Sequence, residues 1–390
     1  MNMMPKNTRF AADDQASRDV ALDILLREVR VRRAEFGAQR QLSDDIVNLL
    51  KQAGVYRALV AKRFGGDEAS PADFLRLIEK ISTEDGSTGW VASFGFSAIY
   101  LSALPLPTLE KMYANGPDVI FAGGIFPPQP AVPVAGGAEV SGRWTWGSGC
   151  TGADLIGVGI KVDDGAPTSG LPRIAVMPSA SVTIAPNWDV NGMKGTGSHD
   201  MVADKVFVSD EWMFIRGGAS SLDAPLYRYP SMALAAQVLA VVALGCARAA
   251  IDALVHRATT RLSITGAPVF ADRAFVQTDL AKAEANLRSA RAFFYDITEE
   301  AYATLQAGND LDRKTHMLIR LASSQAARMG CDVAQSIYRM AGTDGIFTAD
   351  PIAQAMQDAL IVPQHAFLAE GTWQSAGRVF LGLDNPPGYP

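Results

Sequence analysis

Cysteine and histidine are scarce in this chain, three and four of 390 residues. Cys150, Cys246 and Cys331 lie far apart, are odd in number and have no CxxC or Cys/His ligand spacing, so neither a disulfide framework nor a metal site is expected. A reducing cytoplasm fits that cysteine usage. The N-terminus lacks an apolar h-region, and Asp13-Asp14 argue against a transit peptide, so no export signal is expected. Charge is sparse too: 19% of residues are charged, 35 Lys plus Arg against 41 Asp plus Glu, with net charge −6. Without a basic run to track a phosphate backbone, nucleic acid is not expected as a partner. Internal repeats and low-complexity linkers are missing, which excludes solenoids and tethered modules.

What remains, at 48% hydrophobic residues, is enough for a large core divided over two or three subdomains. Residues 1–118 read as helical. Ser43 stands before an acidic first turn with Gly54 at the far end, and Ser70-Pro71 opens a second helix that buries Phe74, Leu75, Leu77, Ile78 and Ile81. Residues 119–225 turn to glycine, proline and short β-branched runs, at Val140–Trp144, Ile156–Val162, Pro172–Met177 and Lys205–Val208, with turns at Gly136-Gly137 and Asp163-Asp164-Gly165. Residues 226–390 return to the helical period. Arg273 to about Thr304 is long enough for roughly 45 Å of helix. Ser231–Val255 approaches the length of a membrane span. Gln237, Arg248 and Asp252 interrupt it, which favours a helix buried in a bundle and no membrane partner.

The strip Trp188–Trp212 holds Gly195-Thr196-Gly197-Ser198-His199-Asp200 between two segments that read as strands. Alone it is compatible with a tight turn, a phosphate cradle or a catalytic loop, and the role of His199 stays open. Four further strings accompany it in order: Arg63-Phe64-Gly65-Gly66, Gly142–Gly149 (GRWTWGSG), the Arg261, Phe270 and Gln277 positions, and Ala341–Gly345 (AGTDG). Together they resemble the acyl-CoA dehydrogenase superfamily over nearly the whole chain. The resemblance implies a mainly α fold with a central β domain: an N-terminal helical domain, a middle β-barrel and a C-terminal four-helix bundle. It further implies a flavin held by Trp146, Ser148, Gly195, Thr196 and Ser198. Arg261, Phe270 and Gln277 would reach a neighbouring subunit's cofactor in a homotetramer, and Gly342, in the late glycine motif, would bind cofactor.

A dehydrogenase of that superfamily uses a glutamate base in a Tyr-Glu-Gly-Thr string. Here Glu370-Gly371-Thr372 falls about one helical turn too late. Asp358 followed seven residues later by His365 instead resembles the two-component flavin monooxygenases built on this fold. The resemblance implies FADH2 or FMNH2 supplied by a separate flavin reductase, molecular oxygen, a C4a-hydroperoxyflavin and a small aromatic substrate. His365 is then expected to take a proton from the substrate and return one, and Ser148 to bond flavin N5. Trp90, Phe94, Phe96, Trp146 and Trp373 are expected to wall a dry pocket, with Asp358 holding backbone or an arginine. Two departures, Gln357 for the usual arginine and no histidine between Gly89 and Tyr100, weaken the case for a phenol. The string Gln364–Gly382 (QHAFLAEGTWQSAGRVFLG) is similar to the indole-3-acetate monooxygenase branch, which implies an indole carboxylate. The rival readings are an acyl-CoA dehydrogenase and a non-catalytic scaffold of the same fold.

Overall fold

Proline and hydroxyl residues set the helix starts of the N-terminal region in the computed structural model, which describes residues 8–162, 172–260 and 269–384. The helices are α1 (Thr8–Gln39), α2 (Asp44–Gln52), α3 (Pro71–Glu84), α4 (Gly86–Ser93), α5 (Ser97–Leu101) and α6 (Leu106–Met112). Ser70 accepts the Asp73 N–H at 3.1 Å and Pro71 takes N1, as expected. Ser43 differs. It flanks α2, but its hydroxyl makes no cap bond and instead accepts from Arg32 at 2.9 Å, because Arg32 of α1 lies within reach and draws in Asp45 as well.

The strands follow as β1 (Phe121–Val134), β2 (Gly137–Gly147), β3 (Leu155–Val162), β4 (Arg173–Pro178), β5 (Thr183–Ala185), β6 (His199–Ser209) and β7 (Met213–Ile215). They form one sheet in the order β5-β6-β2-β1-β3-β4-β7, with β1 and β3 parallel and the other neighbours antiparallel. Their inward residues build a separate apolar core around Trp144, which is fully buried and donates its indole N–H to the Gly159 carbonyl at 2.9 Å. This is an all-β middle unit, as the strand texture implied, with β5 and β7 at the edges of its sheet. The Asp163-Asp164-Gly165 turn lies outside the described residues.

The remaining helices are α7 (Pro225–Arg228), α8 (Ser231–Thr260), α9 (Ala274–Gln306), α10 (Arg313–Met340), α11 (Pro351–Ile361) and α12 (Glu370–Phe380). Among the described residues, only α8 is long and apolar enough to cross a membrane, and most of its apolar window is buried against α3, α10 and α11. Its interruptions are satisfied inside the fold. Gln237 accepts from the Tyr229 hydroxyl at 2.9 Å and donates to Thr298 at 2.6 Å, while Arg248 pairs with Asp252 at 3.2 Å and with Glu284 of α9 at 2.7 Å. The small residues of α8 allow close crossing: a Cβ on Gly245 would sit 2.8 Å from the Glu79 carbonyl oxygen of α3.

Candidate active site

One extra residue in β2 creates the site. Trp144 pairs with Met201 and Gly147 with His199, so three steps along β2 face two along β6. The resulting bulge puts Trp146 at φ 62° and leaves its indole 65% exposed, the conformation a bulge tolerates and a regular strand does not. Just beyond it, Ser148 is buried at the head of a chain of hydroxyls. The Trp90 indole N–H meets Ser148 Oγ at 3.1 Å, Ser148 Oγ lies 2.7 Å from Ser198 Oγ, Ser198 Oγ lies 2.7 Å from Thr196 Oγ1, and Thr196 donates to the Met193 carbonyl at 2.9 Å.

The ends of this chain set its direction. Trp90 can only donate and the Met193 carbonyl can only accept, so Ser198 donates to Thr196 and Ser148 donates to Ser198. Ser148 therefore has no proton left for a ligand and offers it a lone pair. Thr196 and Ser198 are buried with their polar atoms spent internally, and the Gly195 N–H donates to Ser87 at 3.1 Å. These three residues support the site from behind. Trp146, Ser148 and the buried, partnerless hydroxyl of Thr145 are the groups that can meet a flavin. An exposed aromatic face beside an acceptor and an orphaned hydroxyl fits a flat heteroaromatic ring rimmed by polar atoms.

The loop behind the chain is clamped from below. Asp358 on α11 accepts the Met193 N–H at 2.6 Å, holding that residue at φ 55°. A Cβ on Gly192 would lie 2.2 Å from the Gln357 carbonyl oxygen, so only glycine lets the loop sit on α11. Asp358 thus holds backbone, as expected, and makes no pair with His365. His199 is resolved too: its Nδ1 accepts the Trp188 N–H at 3.1 Å, and burial lowers its pKa. It braces the base of the strip.

Asp358 carries a pH signature. Burial first, and then the nearby Asp85 carboxylate, push its pKa from 3.8 up to about 7, against the opposing pull of its Met193 bond, Arg33 and Lys194. A carboxyl whose folded pKa exceeds its unfolded value holds its proton longer when folded. Its contribution to stability is complete below the unfolded value and is lost as pH rises toward about 7. The Asp358→Asn variant keeps an oxygen for Met193 and removes the charge. Its melting temperature relative to wild type is expected to rise from pH 5 to about pH 7 and to level off above it; a pH-independent difference would contradict the assignment.

Aromatic side chains continue the site away from Ser148. The Trp90 ring centroid lies 6.3 Å from that of His365, and His365 lies 5.1 Å from Phe367. Phe94, Phe96 and Tyr100 follow one another at 6.3 and 4.9 Å. Arg216, at the end of β7, joins the two series, with its guanidinium 4.7 Å from the Phe367 ring and 5.9 Å from that of Tyr100. Burial and the Arg216 charge depress the His365 pKa to about 4, so the imidazole is neutral at pH 7. Its Nδ1 accepts the Phe367 N–H at 3.2 Å, which assigns the ring proton to Nε2. His365 therefore presents a donor. The proton-accepting role expected from the sequence needs the other tautomer, which that backbone bond disfavours.

Other expected site residues lie apart from this cluster. Trp373 is half-buried on α12 and, among the described residues, has no ring contact with it. Phe270 stacks edge-on with Phe275 at 6.3 Å, Gln277 donates to the Ala271 carbonyl at 3.0 Å, and Gly342 turns at φ 67° beside open space. None of these contacts reaches the Ser148 chain. Arg261 is outside the described residues. Glu370, the dehydrogenase candidate, is exposed and pairs with Arg328 at 2.8 Å. Thr145, Tyr100, Phe126, Arg216 and Phe367 were missed by sequence reasoning. Arg216, a single cation after the apolar Met213-Phe214-Ile215, was the one visible signal.

Residues 237–370 match the family model described as acyl-CoA dehydrogenase, C-terminal domain. The chain is 51% identical over 360 residues to an indole-3-acetate monooxygenase of Pseudomonas putida, covering 92% of each. It is 27% identical to the flavin-dependent monooxygenase, oxygenase subunit HsaA, of Rhodococcus jostii strain RHA1, over 88% of this chain and 93% of that protein. The crystal structure of 3-HSA hydroxylase from Rhodococcus sp. RHA1 matches with a TM-score of 0.87 at 26% identity, over 94% of this chain and 97% of that one. With the donor-poor Ser148, the neutral His365 and the displaced Glu370, these likenesses lead to one assignment: the chain belongs to the indole-3-acetate monooxygenase family, flavin-dependent monooxygenases built on the acyl-CoA dehydrogenase fold.

Proposed function

We propose that this chain is the oxygenase component that hydroxylates an indole carboxylate, with indole-3-acetate as the leading substrate and reduced flavin delivered by a separate reductase. The observation that carries the reading is the Trp90 bridge: its N–H holds Ser148 at 3.1 Å while its ring stands 6.3 Å from His365, so one indole links a flavin-side acceptor to a neutral imidazole. A bound reduced flavin supplies two electrons to dioxygen, so that one oxygen atom reaches the aromatic and the other leaves as water.

The chain's own residues provide the surroundings for that chemistry. Ser148 accepts a hydrogen bond, which suits a reduced flavin because it carries an N–H where the oxidised ring has a bare nitrogen. His365 donates through Nε2 toward an oxygen on which negative charge develops. Trp90, Phe96 and Phe367 restrict water, which otherwise promotes loss of the oxidant. A phenol gains from a base that removes its proton, whereas an indole ring is electron-rich as it stands. The donor tautomer of His365 therefore favours the indole.

A homotetramer completes the proposal. Ile346, Phe347, Phe380 and Leu381 are apolar and more than half exposed, which suits coverage by further copies of the chain. Phe270 and Gln277 would then meet a neighbour's flavin. The test is to supply chemically reduced FAD, and separately FMN, to the purified chain in oxygenated buffer and to count indole-3-acetate consumed against hydrogen peroxide released. Consumption of the indole with suppressed peroxide supports the proposal. Peroxide equal to the flavin supplied, with the indole untouched, contradicts it.

A further inference from the structure

Arg216 is 6% exposed, and its Nε is buried without a hydrogen-bond partner. Three aromatic rings surround its guanidinium, Phe367 at 4.7 Å, Phe126 at 5.2 Å and Tyr100 at 5.9 Å. Among the described residues, no carboxylate lies within ion-pair distance of it. A buried cation is usually matched by an anion, because aromatic faces offset only part of the lost hydration. Its neighbour Arg320 also lies against Phe367, 5.6 Å from the ring, and its guanidinium bonds the Phe367 carbonyl at 3.3 Å and the Thr372 hydroxyl at 3.4 Å.

The position of Arg216 is as informative as its missing anion. Its backbone N–H donates to the Pro172 carbonyl at 3.1 Å, anchoring it where β7 leaves the sheet. Its charge acts on His365 and its guanidinium hydrogen-bonds the Tyr100 hydroxyl, so it adjoins the proposed reaction space. Phe126, which forms one wall of the aromatic cage, is 48% exposed. His365 is neutral and donor-only toward the space, Ser148 offers only a lone pair, and the remaining walls are rings. Arg216 is thus a buried cation of the cluster for which the described residues supply no anion.

We propose that Arg216 is the specificity-determining residue for the substrate's carboxylate, receiving it on the guanidinium while the aromatic ring lies toward His365 and Trp90. A planar guanidinium matches a carboxylate with two parallel N–H bonds, and their attraction strengthens as the acid displaces water from the cage. The same contact orients the ring, since an acid held at one end leaves its aromatic end at a set distance from Ser148. The assignment rests on the indole carboxylate reading above, and it deepens that reading by naming the group that selects the acid.

The test is calorimetric and needs no turnover. The protein, loaded anaerobically with reduced flavin, is titrated with indole-3-acetate and with indole-3-acetamide, which share ring and size but differ in charge. Wild type is expected to bind the acid more tightly by on the order of 10- to 100-fold, the range for a hydrogen-bonded charge pair. Arg216→Gln is expected to abolish that preference. Arg216→Lys, which keeps the charge and loses the fork, is expected to reduce it, and provides the comparison if the glutamine variant fails to fold. A purely structural role would change both affinities together and leave their ratio intact. Equal binding of acid and amide by wild type, or a preference that persists without the guanidinium, overturns the assignment while the indole reading stands. Binding of neither compound overturns both.

Discussion

Replacing His365 with alanine is expected to lower indole oxygenation by about 10²- to 10³-fold, the usual consequence of removing a donor aimed at developing negative charge. Reduced-flavin affinity should stay near wild type, because His365 touches the Ser148 chain only through the ring of Trp90. The expectation follows from the imidazole's tautomer. Nδ1 is engaged by the Phe367 N–H, so Nε2 carries the proton, on a ring that lies beside Trp90 and Phe367. His365→Gln, which retains a side-chain N–H, should recover part of the rate. A general-base role would give no such recovery.

The pH profile separates the two roles again. With the His365 pKa depressed to about 4, neutral imidazole is the working form throughout pH 6 to 9, and the group adds no inflection there. Activity dependent on it should fall only as pH drops toward 4, where the ring gains a proton and burial no longer tolerates it. An ascending limb centred near pH 6.5 that vanishes in His365→Ala would show that the imidazole is not held neutral by burial and Arg216.

Ser148→Ala is expected to weaken reduced flavin by about tenfold or more and to divert turnover toward peroxide, because one substitution removes an acceptor and strands the Trp90 N–H. The effect should be larger for reduced than for oxidised flavin. The direction of the hydroxyl chain requires this: from Trp90 through Ser148, Ser198 and Thr196 to the Met193 carbonyl, every proton is committed, leaving Ser148 a lone pair to offer. Titrations of the variant with both redox states would show the asymmetry. Equal losses for the two states would mean that Ser148 can redirect its proton and that the chain is not polarised.

Much of this architecture was legible because it rests on local chemistry. Ser70-Pro71 at a helix start, the span-like but interrupted α8, and the glycine-rich texture between residues 119 and 225 each correspond to a physical feature of the fold. Ser43 sits at the N-cap position of α2 without a cap bond because Arg32, eleven residues away, takes its hydroxyl, and a tertiary partner is not visible in local spacing. The site was legible in part. GRWTWGSG and GTGS named the two segments that the fold joins, but their order could not show that Thr196 and Ser198 spend their hydroxyls internally. The bulge that exposes Trp146 depends on the register between β2 and β6, and the role of Arg216 depends on the absence of an anion around it. Neither property belongs to any single stretch of sequence.

The central claim is that this chain places oxygen from dioxygen on an indole carboxylate using reduced flavin. A single turnover with anaerobically reduced flavin, indole-3-acetate and ¹⁸O-labelled dioxygen, followed by mass spectrometry of the indole, tests it most directly. One labelled oxygen atom is expected in the product, with peroxide release rising when Ser148 is replaced by alanine. Product oxygen derived from water, or unchanged indole accompanied by peroxide equal to the flavin supplied, would contradict it.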